Sequence, residues 1–152
     1  MKLAEALILR ADSKKRFEQL RQRLFENIRI QEGDEPAEKP EALLKQIEVV
    51  ADEFETLIKR INKTNSETEF SKGKTLTDAI AERDVLSMRA NFYRGIASNA
   101  MENDYRYGHS EIKIVRTIDV AKIQKLADKL AQQYRELDSK IQQINWKTDL
   151  VE

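Results

Sequence analysis

The sequence contains no cysteine, one histidine, two prolines and four glycines. Without cysteine there is no disulfide framework, no thiolate nucleophile and no cysteine-ligated zinc or iron–sulfur site. With His109 alone, His-rich zinc sites, HExxH proteases and paired Glu-x-x-His di-iron centres are excluded. The 27 basic residues are balanced by 27 acidic ones, so the basic excess of a general nucleic-acid binder is missing. No run approaches the roughly 18 apolar residues of a membrane span. What is present is 40% hydrophobic and 36% charged residues, with 7% aromatic, over 152 positions. That mixture favours long amphipathic helices over a β-sandwich or an α/β enzyme, and the length fits one domain spanning residues 1–152.

The first twelve residues, MKLAEALILRAD, resemble the start of a secretory signal, but Glu5 and Arg10 leave only residues 6–9 uninterrupted. A signal peptide needs about 7–15 apolar residues. The reading is therefore mature structure and a cytoplasmic protein.

The spacing predicts an elongated four-helix bundle with coiled-coil-like heptads. The first helix covers residues 2–29 and ends before the turn at Gly33 and Pro36. The second covers 41–65, with Leu43, Ile47, Val50, Phe54, Leu57 and Ile61 spaced 4-3-4-3-4, and stops where the heptad turns polar at Thr64. Residues 67–70 and 74–76 read as a hairpin around Gly73. A third helix covers 78–99 and residues 98–110 form a loop. The alternation over 111–115 suggests a third strand, and a fourth helix, capped by Thr117 or Asp119, covers 118–146.

Charge falls on apolar faces in two of these helices. Arg10, Lys14 and Arg21 share an arc with Leu3, Leu7, Phe17, Leu24 and Ile28. On the third helix, Leu86, Tyr93 and Ala97 form one apolar stripe and Val85, Met88, Phe92 and Ile96 a second, with Glu82 and Arg89 between them. A buried charge needs a partner, water or a change of protonation state. Arg10, Lys14, Arg21, Glu82 and Arg89 thus form a candidate buried seam. It is read first as an interhelical ion-pair network, next as a register-setting subunit interface, and last as an anion-binding pocket.

Other chemistries fare worse. Gly73, Lys74 and Thr75 end like a phosphate-binding loop, but Thr68 stands where the first glycine is required. His109 with Ser110 or Ser98 lacks a nucleophile elbow. Asp34, Glu35 and Glu38 in the acidic connector are weak candidates for a hard cation, without the ligand spacing of an EF-hand. Asn62 heads a glycosylation sequon, which has no meaning in a cytoplasmic protein. Tyr105, Arg106 and Tyr107 mix aromatics with a cation as base-stacking surfaces do, but four loop residues with His109 are no nucleic-acid footprint.

The runs QEGDEPAE (31–38), TLTDAIAERDVL (75–86), SEIKIVRTIDVAKIQKLADKL (110–130) and INWKTDL (144–150) resemble a family of small bacterial proteins labelled septicolysin or septicolysin-like. The resemblance covers essentially the whole chain and implies a pore-forming cytolysin. It supplies no catalytic or ligand residues to map onto this sequence. Peripheral membrane contact would fall to the first helix, where Lys15, Arg16 and Arg23 point outward.

The leading expectation is a non-enzymatic cytoplasmic protein that self-associates through helix faces as a homo-oligomer. It needs no cofactor and has no nucleic-acid partner. The alternatives are a membrane-active protein and an anion- or small-ligand-binding module or enzyme built on the charged seam, its ligand unknown.

Overall fold

The chain begins and ends in one place. The Leu3 amide donates to the Thr148 carbonyl and the Leu150 amide to the Met1 carbonyl, each at 2.9 Å. These bonds belong to a computed structural model that describes residues 1–102 and 113–152. In chain order the elements are α1 (Leu3–Asn27), α2 (Pro40–Glu67), β1 (Glu69–Ser71), β2 (Lys74–Thr75), α3 (Leu76–Met101) and α4 (Val120–Lys147). The fold is a mainly α helical bundle with a small hairpin, as the spacing predicts. Its residues group into two compact units, 1–77 with 142–152, and 78–141.

In the first unit α2 supplies the regular half of the core. Leu43, Ile47, Val50 and Ile61 of its heptad line are buried, and Phe54 and Leu57 are half-buried. Leu43, Ile47 and Val50 cluster with Leu20 and Leu24 of α1, against which Phe17 packs. Leu20 is buried although it lies off the predicted stripe, whereas Ile28, placed on that stripe, caps the end of α1 and is 55% exposed.

Helix α1 stops at Asn27, two residues earlier than its apolar pattern predicts, because Asn27 is spent on the connector. Its amide Nδ2 donates to the Arg23 carbonyl at 2.8 Å, and its Oδ1 accepts the Glu38 backbone N–H at 3.0 Å. Gly33 turns the connector at φ +94°, a conformation that glycine adopts without steric cost. Pro40 then opens α2 in the first turn, where its missing N–H costs nothing.

Thr64 does not end α2. It is fully buried, and its hydroxyl donates to the Arg60 carbonyl at 2.8 Å while accepting the Val151 N–H at 3.1 Å. A polar residue in the heptad is thereby satisfied, and the helix runs on to Glu67. Lys2 and Asp149 form an ion pair at 2.8 Å beside the terminal bridge. The hairpin follows, pairing Glu69 with Thr75 and Ser71 with Lys74, with Gly73 at φ +74° in the turn. Gly73, Lys74 and Thr75 thus serve a tight turn, and Lys74 sits 5.5 Å from the centre of the Phe70 ring.

In the second unit, α3 presents a line spaced 4-3-4-3-4: Ala79, Ala90 and Ala97 are buried, and Arg83, Leu86 and Tyr93 half-buried between them. On α4, Ala127, Leu130 and Ile141 are buried, and Asp119 caps the helix by accepting the Lys122 N–H at 3.2 Å. Two expectations fail here. Helix α3 continues through Met101, into the stretch assigned to a loop. Among the described residues the sheet has two strands, not the expected three. Residues 111 and 112 of the proposed third strand lie outside the described residues, and 113–115 belong to no strand. Ile114 and Val115 are each 73% exposed, so their alternation has no buried face to align it. The segment is instead held at Arg116, whose Nε donates to the Ala100 carbonyl at 2.5 Å.

The core cluster makes a first prediction. Leu43→Ala should cost about 2–5 kcal/mol by urea denaturation, since Leu43 is 1% exposed. Leu44→Ala, at a neighbouring position that is 48% exposed, should cost less than about 1 kcal/mol.

Candidate functional site

The candidate charged residues do not form a buried seam. Arg10 is half-buried, and Lys14, Arg21, Glu82 and Arg89 are exposed. Helical geometry explains the difference. At 100° per residue, Arg10, Arg21 and Lys14 sit about 40°, 60° and 80° from Leu24, progressively farther from the face of α1 that packs on α2. Arg21 is occupied at the surface, with its Nε 3.0 Å from Glu18 Oε2 and its guanidinium 5.6 Å from the centre of the Phe25 ring. Glu82 and Arg89 belong to the other compact unit and lie about 80° and 100° from the buried Ala90.

The charge that does enter the interior face of α3 is Arg83, about 20° from Ala90. Its Nη1 donates to Asp138 Oδ1 of α4 at 3.1 Å and its Nη2 to Asp84 Oδ1 at 2.8 Å. The side chains of Arg83 and Asp138 are 22% and 30% exposed. This pair joins α3 to α4 within the second unit and is the ion-pair link that the seam was expected to supply. Its signal is present in the sequence, because Arg83 occupies one position of the series 79, 83, 86, 90, 93, 97.

In the acidic connector the three candidate cation ligands are not gathered together. Glu38 is held by Arg23, with Nε to Oε2 at 2.8 Å and a second bond from Nη2 to Oε1. The Arg23 hydrogen bonds hold the Glu38 carboxyl below its ordinary pKa. Asp34 and Glu35 are exposed, and among the described residues no group of three His, Asp or Glu side chains is arranged to hold a metal. A surface hollow lies along α1 beside Lys15, Glu18, Arg21, Phe25 and Glu26, where two acids offset two bases and no anion site results. His109, Ser110, Tyr105, Arg106 and Tyr107 lie outside the described residues; Ser98 is exposed on α3.

The feature that does stand out is the outer face of α3. Val85, Met88 and Phe92 are 48%, 65% and 62% exposed, at spacing 3 and 4, and half-buried Ile96 continues the line. Val85, Met88 and Phe92 lie about 140–160° from Ala90 and Ile96 about 120°. The helix is thus apolar on two sides, and the second stripe is open. No helix among the described residues is long and apolar enough to cross a membrane.

Residues 10–150 match the model of a family described as a family of unknown function, DUF6847. No curated protein matches the sequence. The structure is similar to the crystal structure of a functionally unknown conserved protein from Corynebacterium diphtheriae, with 44% sequence identity, a TM-score of 0.94 and 99% of each chain covered.

Two predictions test this electrostatic account. Arg83→Met should lower stability by about 1–2 kcal/mol, and Arg89→Met by less than about 0.5 kcal/mol, in parallel urea titrations. Because Glu38 has its pKa lowered on folding, its stabilisation is complete above the unfolded carboxyl pKa and is lost as pH falls through the folded one. The gap in thermal midpoint between the parent chain and Glu38→Gln should therefore be constant from neutral pH to about 5 and close progressively below about 4.

Proposed function

Because the chain belongs to the DUF6847 family, whose function is unknown, we propose its role from the geometry of α3: it is a non-enzymatic helical protein that acts through self-association, and the open stripe of α3 is its interface. The observation that carries this reading is the exposure of Val85, Met88 and Phe92 in one line on a helix whose opposite face is already buried. Large apolar side chains grouped on a surface mark interaction sites, and aromatics and methionine are enriched at the centres of interfaces. The non-enzymatic part of the reading is supported by the exposure of Lys14, Arg21, Glu82 and Arg89. A cytoplasmic setting fits a chain without cysteine.

The resemblance to septicolysin-like proteins favours a second reading, in which the same stripe meets lipid. Helix one is a poor membrane surface by comparison, because acids interrupt its basic face: Asp12, Glu18 and Glu26 stand among Lys15, Arg16 and Arg23.

Light scattering on a sizing column separates the two. Self-association predicts one multiple of the 17.7 kDa protomer at low and high salt, and Phe92→Asp should return the protein to protomer mass with its helical circular dichroism unchanged. A protomer at all concentrations, together with leakage from anionic liposomes that Phe92→Asp abolishes, would establish the lipid reading instead.

A further inference from the structure

We infer that α3 pairs with α3 of a second copy in an antiparallel, two-fold arrangement, with Val85 against Met88 of the other chain, Phe92 over Ala81, and Arg89 beside Glu82. The inference rests on the self-association reading and adds to it the orientation and register of the partner.

The argument starts from the order of residues along the open stripe. Ala81, Glu82, Val85, Met88, Arg89 and Phe92 follow one another from the N-terminal end, and all six are exposed. The two charges lie on the same flank of the stripe, about 40–60° from Val85, with the acid two turns before the base. In an antiparallel pair related by a two-fold axis, like flanks meet and the chain direction reverses. The acid of each copy then approaches the base of the other, twice. In a parallel pair the like flanks lie on opposite sides of the interface, and Arg89 has no Glu82 within reach.

Packing selects the same register. The largest stripe residue, Phe92, needs a shallow place on the facing helix, and Ala81 supplies it; one residue number must then sum with its opposite to 173. That sum places Val85 opposite Met88, so the apolar centre closes on itself. It leaves Arg89 and Glu82 about 3 Å apart along the axis, within reach of their side chains. The helix dipoles also oppose each other, which favours antiparallel neighbours.

The test is a charge exchange read by sedimentation equilibrium. Glu82→Arg and Arg89→Glu should each raise the dimer dissociation constant at least about tenfold, and the double variant should return to within about threefold of the parent chain. As a second measurement, single cysteines can be introduced cleanly, since the chain has none. With a short bismaleimide, Met88→Cys should cross-link to itself, its copies lying about 4–5 Å apart along the axis, whereas Ala81→Cys, about 16 Å apart, should not. A dimer in which the double exchange is no better than the single variants, or in which both cysteines link equally, overturns this register while leaving self-association standing. A protomer at every concentration overturns both.

Discussion

Burial of the α2 heptad line against α1 is the contact on which the first compact unit depends. Leu43, Ile47 and Val50 meet Leu20 and Leu24, and everything polar nearby is arranged so that this contact can close. Asn27 ends α1 and fastens the connector through the Glu38 amide. Arg23 takes the Glu38 carboxylate, and Pro40 starts the return helix. At the other end, Thr64 uses its hydroxyl twice, once within α2 and once to hold Val151. Asn27 and Thr64 thereby keep buried polar groups from going without a partner, which would cost more than the bond itself contributes.

The second unit is built differently. Its α3 line uses alanine at 79, 90 and 97, so it buries little apolar area per turn and includes one charge, Arg83. The ion pair with Asp138 links α3 to α4. Val85, Met88 and Phe92 lie on the other side of α3 and are open. Three large apolar residues exposed opposite a line of buried alanines are the reason for assigning its outer face to a partner.

The chemistry that the sequence suggested dissolves for one geometric reason. A charged residue within an apolar arc on paper can sit anywhere from the centre to the rim of the buried strip, and the difference is one or two tens of degrees. Arg10 reaches the rim; Lys14 and Arg21 miss it. Glu82 and Arg89 were read as the internal charges of α3, yet the internal charge is Arg83, one position along and 100° round. In the acidic connector, Arg23 takes Glu38, one of the three candidate cation ligands.

The sequence alone determined the four helices of the described residues, the hairpin at Gly73, the heptad face of α2 and the two apolar stripes of α3, because each is a local pattern of spacing and turn chemistry. It could not determine which stripe of α3 is buried, since both have the right period and only packing chooses between them. Nor could it show that 113–115 go unpaired, because a strand exists only when a neighbouring backbone accepts its hydrogen bonds. Tertiary structure also decided the role of each buried polar residue. Asn27 reads as one more helical residue and Thr64 as a helix stop, and they become the fastenings of a core only when Glu38 folds back from the connector and Val151 arrives from the far end of the chain.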